Sequence, residues 1–355
     1  MKKIKILIID DSKLMRDMLS TIFSSDPEIE VVGTASDPYI ARNLIKKTNP
    51  DILTLDIMMP NMDGITFLKN LMRLHPLPVV MISSLTQKNS SYSLEALAIG
   101  AIDYIPKPSL KDFSSKLYVS ELITTIKNAS KAIVQPQMTQ KKVDVPLFFN
   151  ERILNANLLH NNIITIGASI GGIEAIETIL TQLPAIFPPI IITQHIRKEF
   201  SLAFSNRINK LCKLTVKQAE NKELLTPGFA YMAPYDLHVT IKKVPEGNMI
   251  VLNNNPPLEG HRPSINILFT SVAESIGKNA IGILLTGMGT DGAMGLKKIH
   301  DTGGITIAQD EESSVVWGMP GAAVKLNAAD YVLPLDQIVA KVFQILDEKY
   351  YSTTS

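Results

Sequence analysis

Short apolar runs alternate with amphipathic stretches from Lys3 to about Lys127. Between Lys13 and Ser24 the apolar residues recur at the spacing that places them on one face of a helix. The runs between such stretches are typical of buried parallel strands. The pattern predicts strands at Ile4–Ile9, Val31–Thr34, Ile52–Leu55, Val79–Ser83 and Ala101–Ile105, and helices at Lys13–Ser24, Pro38–Lys47, Ile65–Leu74, Tyr92–Ile99 and Phe113–Lys127. We therefore expect a doubly wound (βα)5 domain with a flavodoxin-like sheet.

The periodicity fails in residues 128–160, which are polar and contain prolines, as linkers between domains do. Alternating strand and helix patterns resume after this segment and predict a second doubly wound, mostly parallel α/β sheet with an antiparallel edge. Its predicted strands are the run from Ile163, then Ile190–Gln194, Ile281–Thr286 and Ile305–Ala308, with a β-rich insert at Phe229–Met232, Leu237–Ile241 and Met249–Asn253. The predicted domains are residues 1–127 and 161–349.

The composition adds few constraints to this picture. The chain has 355 residues, of which 45% are apolar and 19% charged, with a formal net charge of +1. This balance gives no basic field that would favour nucleic acid as a partner, and no apolar run is long enough to insert into a membrane. A single cysteine, Cys212, excludes an internal disulfide, and we interpret it as a core residue of a helix. We expect a cytoplasmic protein.

Polar residues follow four of the predicted strands of the first domain. The carboxyl ends of parallel strands meet at one edge of the sheet, so these side chains should lie together there. Carboxylates packed this closely repel one another unless a cation such as Mg²⁺ binds them, and a lysine and a hydroxyl suit phosphoryl oxygens. The residues are Asp10, Asp11, Asp56, Ser83 and Lys107.

A glycine-rich turn follows the first strand of the second domain, in Gly167-Ala-Ser-Ile-Gly-Gly. Ser169 lies on this turn, where it is a candidate nucleophile, although such turns also bind dinucleotide phosphates and such serines often cap helices. His195 and Asp291 follow two other predicted strands, and together with Ser169 they suggest a Ser-His-Asp triad. Gly287, Gly289 and Gly292 would allow backbone N–H groups to approach an oxyanion. We interpret four other histidines as ordinary polar groups: His160, His238, His261 and His300.

The first domain resembles the receiver domain of two-component response regulators. The resemblance rests on Asp10-Asp11, Asp56 with the following Met58-Met59-Pro60-Asn61-Met62-Asp63-Gly64, Ser83-Ser84 and Tyr104-Ile105-Pro106-Lys107-Pro108. It implies that Asp56 accepts a phosphoryl group from a histidine kinase. Mg²⁺ would be held by Asp10, Asp11, Asp56 and the backbone carbonyl of Met58, while Ser83, Tyr104 and Lys107 would form the switch.

Nearly the whole chain resembles the CheB family of chemotaxis response-regulator methylesterases. The motifs are Gly167-Ala-Ser-Ile-Gly-Gly, Gln194-His195, Arg262-Pro-Ser-Ile-Asn, Thr286-Gly-Met-Gly-Thr-Asp-Gly-Ala, Ala308-Gln-Asp-Glu-Glu-Ser and Trp317-Gly-Met-Pro. The resemblance implies a phosphorylation-activated hydrolase that demethylates glutamate methyl esters, and deamidates glutamines, on cytoplasmic helices of chemoreceptors. Ser169, His195 and Asp291 would be the triad, and Met288 would donate its backbone N–H to the oxyanion. No cofactor is expected for hydrolysis. Ile170 and Arg197 depart from the usual threonine and proline.

Two other functions remain as alternatives. In the first, the second domain binds a nucleotide without hydrolysis. That function requires an acidic residue at the end of the next strand, where the chain has Gln194-His195. In the second, the chain is a DNA-binding response regulator. That function requires a basic recognition helix, whereas the second half of the chain has buried strands and an acidic, glycine-rich loop.

Overall fold

A computed structural model of the chain describes residues 2–60, 62–84, 87–109, 115–134 and 156–354. The chain divides into two compact units, residues 1–138 and 139–355. Most of the predicted linker lies in residues 135–155, outside the described residues, so the predicted domain boundaries stay predictions. Within the described residues, no helix has both the length and the apolar character needed to cross a bilayer.

The first unit is a five-stranded parallel sheet with the strand order β2-β1-β3-β4-β5, which confirms the predicted (βα)5 fold. This order places a topological switch point between β1 and β3, where doubly wound sheets bind their ligands. The strands are β1 Ile4–Ile9, β2 Ile29–Ala35, β3 Ile52–Leu55, β4 Val79–Ser83 and β5 Asp103–Pro106, and the helices are Lys13–Ser24, Pro38–Thr48, Gly64–Leu74, Gln87–Ile99 and Lys116–Ala129.

Local sequence explains these elements. The side chains of Ile6, Leu7 and Ile8 in β1 are all inaccessible to solvent, because helices cover both faces of a parallel sheet. The Lys13–Ser24 helix begins where the Ser12 hydroxyl accepts a hydrogen bond from Met15 N, which satisfies one of the unpaired amides at the helix start. The sheet and its caps therefore fix where each loop leaves the carboxyl edge.

The second unit is built on a seven-stranded parallel sheet with the order β14-β13-β12-β6-β7-β9-β8, plus a separate antiparallel pair, β10-β11. Its strands are β6 Ile163–Ala168, β7 Ile190–Gln194, β8 Thr215–Gln218, β9 Phe229–Met232, β10 His238–Val244, β11 Gly247–Asn253, β12 Ala280–Leu284, β13 Ile305–Gln309 and β14 Tyr331–Leu333. Its α-helices are Ala156–Asn161, Gly172–Leu180, Lys198–Leu211, Ile265–Ile276, Ala293–Asp301, Met319–Lys325 and Leu335–Thr354.

The structure refines several predicted elements. The Phe229–Met232 run joins the main sheet as β9, parallel to β7, while the antiparallel part is a two-stranded sheet of its own. Strand β12 ends at Leu284, so Thr286 lies in the following loop. Cys212 caps the end of the Lys198–Leu211 helix in an extended conformation instead of lying inside it. Burial, with the Glu177 charge, raises the pKa of its thiol to about 12, so it remains protonated.

The Ile265–Ile276 helix connects the hairpin to the main sheet. The Ser271 hydroxyl accepts a hydrogen bond from Ile241 N at 3.0 Å, and the Ser275 hydroxyl donates to Ile241 O at 2.8 Å. Leu268 and Phe269 are fully buried in one cluster with hairpin residues. This packing fixes the start of the helix beside the ends of the central strands, where the site lies.

Candidate active site and candidate phosphoryl-accepting site

Three loops that carry predicted triad residues leave adjacent central strands. Ser169 directly follows β6, and His195 directly follows β7, which pairs with β6 in parallel. Asp291 lies in the loop after β12, which pairs with the opposite edge of β6. The chain crosses from one side of β6 to the other between β7 and β12, so this position is a topological switch point.

The turn that carries Ser169 is held by backbone and amide hydrogen bonds. Ser169 N donates to Thr286 O at 3.0 Å, and Gly172 N donates to Ser169 O at 2.9 Å. The Gln194 side-chain amide also donates to Ser169 O, at 2.8 Å. Gly171 has a φ of 75°, in the region that side-chain-bearing residues rarely adopt. The half-buried Ser169 therefore lies on a rigid strand-to-helix turn.

His195 and Asp291 form a close pair. His195 Nε2 lies 2.9 Å from Asp291 Oδ2, and their side chains are 12% and 2% exposed. An ionised carboxylate only accepts hydrogen bonds, so Nε2 carries a hydrogen, and in the neutral ring Nδ1 holds the lone pair. Among the described residues, Nδ1 is buried and has no hydrogen-bond partner. The structure therefore contains no Ser169–His195 hydrogen bond, and Nδ1 is the free basic atom of the site.

The carboxylate of Asp291 is surrounded by hydrogen-bond donors. Ile265 N donates to Oδ2 at 2.8 Å, while Asn266 N and the Ser264 hydroxyl donate to Oδ1, both at 2.9 Å. Burial alone would raise the pKa of this carboxyl, but the hydrogen bonds from His195 and from the Asn266 and Ile265 amides hold it below its ordinary value. The start of the Ile265–Ile276 helix thus keeps Asp291 ionised and oriented.

His238 supports the same helix start from the other side. Ser264 N donates to His238 Nδ1 at 3.2 Å, so this nitrogen is unprotonated. The other ring nitrogen, Nε2, then donates to Pro256 O at 3.2 Å. The side chain of His238 is completely buried. It is therefore a structural group that holds Ser264, with both ring nitrogens hydrogen-bonded to the backbone.

The loop of Gly287, Met288 and Gly289 lies against the Ser169 turn. A methyl group built on Gly287 would lie 2.7 Å from Ser169 Cβ, so only glycine fits there. The Thr286 hydroxyl donates to Ile170 O at 2.9 Å, and Gly287 O accepts from Met319 N at 2.8 Å. Within the described part of the chain, Met288 N donates to no acceptor. This amide is therefore not committed to an acceptor among the described residues.

The predicted acidic residues of the first unit lie together at the carboxyl edge of its sheet. One oxygen of each of Asp10, Asp11 and Asp56 lies within 4.8 Å of the others. Lys107 Nζ lies 2.9 Å from Asp10 Oδ2 and 2.6 Å from Asp56 Oδ2. Burial, opposed by Lys107 and reinforced by the Asp56 charge, raises the pKa of Asp10. This all-oxygen donor set fits Mg²⁺.

The structure also brings two predicted switch residues together. The Tyr104 hydroxyl donates to Ser83 O at 2.7 Å, and both side chains are 1% exposed. The Ser83 hydroxyl is buried and has no partner among the described residues, so its hydrogen-bonding capacity is unused in this structure. Burial lowers the pKa of Lys107, but its hydrogen bonds to Asp56 and Asp10 outweigh this and raise it. Met58 lies in the loop after Asp56 and is exposed.

Sequence reasoning did not predict that Ser264 and His261 contact the triad residues. Ser264 precedes the apolar run of a helix, which is the signature of an N-cap, so its place at a helix start was readable. Its bond to Asp291 was not, because the two residues are far apart in the chain. His261 stacks on His195, with ring centroids 4.0 Å apart, and lies in a stretch with no periodicity that would signal it. The interpretation of His261 as an ordinary polar group did not foresee this contact with His195.

Comparisons with known proteins identify the family of this chain. Residues 164–342 match the family model described as CheB methylesterase, and residues 6–117 match that of the response regulator receiver domain. A protein-glutamate methylesterase/protein-glutamine glutaminase of Hydrogenovibrio crunogenus is 46% identical over 98% of this chain and 100% of its own length. One of the same name from Chromohalobacter salexigens is 47% identical over 96% of both chains. The CheB methylesterase catalytic domain of Thermotoga maritima covers 52% of this chain and 98% of its own, with 36% identity and a TM-score of 0.51.

Proposed function

Because this chain belongs to the CheB family, and is thus a chemotaxis protein-glutamate methylesterase/protein-glutamine glutaminase with a receiver domain, we propose that Ser169, His195 and Asp291 are its catalytic residues. The observation that carries the proposal is the 2.9 Å pair between His195 Nε2 and Asp291, which leaves His195 Nδ1 as the unpaired base. Ser169, on the adjacent strand end, is the nucleophile. The alternative of a nucleotide-binding second domain is not favoured.

In the first half of the reaction, Ser169 Oγ forms a bond to the ester carbonyl carbon while His195 Nδ1 takes the hydroxyl proton. The negative charge on the carbonyl oxygen is stabilised by Met288 N–H. Ile170 N–H, next to the nucleophile, is a second candidate donor, since the amide after a nucleophile on such a turn often serves this role. The carbon–oxygen bond to the methoxy group then breaks, and His195 returns the proton, so that methanol leaves.

Water completes the cycle. His195 Nδ1 takes a proton from water as the oxygen attacks the acyl-serine carbonyl, and Ser169 Oγ leaves with that proton. The product is a glutamate carboxylate. A glutamine substrate follows the same steps with ammonia as the leaving group. Asp291 keeps the His195 tautomer and stabilises the imidazolium that exists between the two proton transfers, which its lowered pKa supports.

In the first unit, we propose that Asp56 accepts the phosphoryl group. A carboxylate oxygen of Asp56 bonds to phosphorus while the bond from phosphorus to the histidine nitrogen of the kinase breaks. Asp10, Asp11, Asp56 and the Met58 carbonyl would hold Mg²⁺, which offsets the charge of the incoming group. Lys107 pairs with a phosphoryl oxygen, and Ser83, with its unpartnered hydroxyl, binds another. Tyr104 responds through its bond to Ser83 O.

The proposed partners are methyl-accepting chemoreceptors as substrates and a chemotaxis histidine kinase as phosphodonor. Both follow from family membership, and the methylated receptor helices would place the protein in the cytoplasm. The test of the catalytic proposal is methanol release from methylated receptor membranes by Ser169→Ala and His195→Ala. Both variants should fold and lose activity. Near-normal release by either folded variant would remove that residue from the mechanism.

A further inference from the structure

The ring of His261 lies flat against the ring of His195. The ring centroids are 4.0 Å apart and the two planes differ by 2°. His261 is half-buried, and its ring makes no hydrogen bond within the described part of the chain. Its contact with the proposed base is therefore stacking alone, and neither ring nitrogen is committed to a protein partner.

The backbone that carries His261 is held on both sides. Leu258 and His261 exchange two hydrogen bonds, of 2.9 and 3.1 Å, across a short antiparallel bridge. The next residue, Arg262, donates to Asp236 Oδ1 at 2.8 Å and to Asn254 O at 2.9 Å. These bonds fix a short loop in which the side chains of Leu258 and Glu259 are exposed. The position of the His261 ring is thus set by its backbone.

Stacking of this kind solves a specific problem for His195. The ring must direct Nε2 at Asp291 and Nδ1 toward the nucleophile, and both directions lie in the ring plane. One hydrogen bond, from Nε2, leaves the ring free to tilt about that contact. A flat neighbour on one face removes this freedom, because any tilt would push one ring edge into the other ring.

We propose that His261 is a positioning residue for His195, and that it acts through its flat, uncharged ring. This inference rests on the proposed role of His195 as the base. A protonated ring at 4.0 Å would oppose the imidazolium that His195 forms in the reaction, so His261 must stay neutral while His195 takes up a proton.

The charges around His261 are consistent with a neutral ring. Burial lowers its pKa below the ordinary value, and the neighbouring His195 lowers it further, against the opposing effects of Asp291 and Glu259. The positive charge of the next residue, Arg262, is partly offset by its ion pair with Asp236 at 2.7 Å. His261 is therefore neutral at pH 7 and gains its proton only in more acidic solution.

The experiment compares His261→Phe with His261→Ala in the full-length protein. Phenylalanine keeps a flat ring but cannot titrate or form a hydrogen bond, whereas alanine removes the ring. Initial rates of methanol release from methylated chemoreceptor membranes are measured with acetyl phosphate and Mg²⁺ present. His160→Ala, at an exposed position in another part of the same unit, is the matched control. Circular dichroism melts establish that each variant is folded.

We expect His261→Ala to lower kcat by about 10- to 100-fold with KM little changed, since a misplaced base slows chemistry without weakening binding. His261→Phe should keep kcat within about threefold of wild type at pH 8. The acid limb of the pH profile of kcat/KM should be less steep in His261→Phe than in the wild type, because phenylalanine cannot take up the proton that His261 takes up in acidic solution.

Three results would overturn the inference. A kcat of His261→Phe as low as that of His261→Ala would mean that a polar ring atom is needed, and an unchanged kcat of folded His261→Ala would mean that no positioning is needed. Identical acid limbs in the wild type and His261→Phe would show that the charge on His261 is irrelevant. Failure of the catalytic proposal itself is distinct, since it appears as activity retained by His195→Ala.

Discussion

Replacing Ser264 by alanine should weaken both the fold and the active site through one hydroxyl group. This hydroxyl is completely buried, donates to Asp291 Oδ1 at 2.9 Å and accepts a hydrogen bond from Ile267 N at 3.4 Å. Asp291 would keep its other three donors, which are His195 Nε2, Ile265 N and Asn266 N. The carboxylate would therefore stay in place but lose part of its orientation.

The expected loss of unfolding free energy in Ser264→Ala follows from these two hydrogen bonds. Loss of a charge-assisted hydrogen bond costs about 1.5 to 3 kcal/mol, and loss of an N-cap costs about 0.5 to 2 kcal/mol, at the low end for a bond as long as 3.4 Å. We expect the free energy of unfolding of the second unit to fall by about 2 to 4 kcal/mol at pH 7. We also expect kcat to fall by about tenfold.

The pH dependence gives an independent check. The folded-state pKa of Asp291 lies below its ordinary value, so its contribution to stability is complete above the unfolded-state pKa and is lost as pH falls through the folded-state pKa. The Ser264→Ala variant removes one donor and should raise the folded-state pKa of Asp291. The difference in unfolding free energy between wild type and variant should then shrink below about pH 4.

Urea unfolding and methanol release measure the two effects, with two controls. Ser264→Thr keeps the hydroxyl and should restore most of the stability and activity. Ser115→Ala, in the first unit, removes a cap of the same 3.4 Å length that has no carboxylate partner within the described residues, so it should show the capping loss alone. The hydrogen bond to Asp291 does not contribute if Ser264→Ala lowers the unfolding free energy no more than Ser115→Ala does. The same conclusion follows if Ser264→Thr loses as much stability and activity as Ser264→Ala.

Three further predictions concern the nucleophile, the adjoining loop and the receiver. Ser169→Ala should abolish methanol release while its melting temperature stays close to that of wild type, and retention of activity would exclude Ser169 as the nucleophile. Gly287→Ala would place a methyl group 2.7 Å from Ser169 Cβ and 2.5 Å from Met319 Sδ. It should lower kcat by at least about tenfold. Gly247→Ala, where a methyl group meets no atom within 4 Å but the φ of 140° is strained for alanine, should lower stability and leave kcat unchanged. Asp56→Asn cannot form an acyl phosphate, so its methylesterase activity should not respond to acetyl phosphate plus Mg²⁺. A normal response would mean that the activating phosphorylation occurs at another residue.

The sequence was informative wherever chemistry is local. Apolar periodicity predicted the Lys13–Ser24 helix, and a continuous apolar run predicted β6. Both predictions succeeded because such segments bury their apolar side chains in any tertiary context. The glycines around Ser169 indicated a tight turn, since Gly171 adopts a φ that other residues avoid. The sequence predicted the ends of elements less accurately. The strand predicted at Ala101–Ile105, for example, begins at Asp103.

Within the candidate site, the sequence indicated strand ends but not their neighbours. Ser169, His195 and Asp291 each follow a strand, which is the position that doubly wound sheets use for ligands. Whether their strands adjoin could not be read from the pattern, because buried parallel strands all consist of similar apolar runs. The contacts that Ser264 and His261 make in the site could not be predicted, because their partners lie many residues away in the chain.

By itself, therefore, the sequence determined the two α/β domains, the turn of Ser169 and the acidic cluster around Asp56, because these depend on local spacing and on residue chemistry. Only the tertiary structure decided that β12 and β7 flank β6, which brings Asp291 to 2.9 Å from His195. The tertiary structure alone decided that the Ile265–Ile276 helix begins beside Asp291 and that the ring of His261 stacks on the ring of His195. Such contacts come from the packing of distant segments, and packing selects among many sheet orders that one local pattern allows.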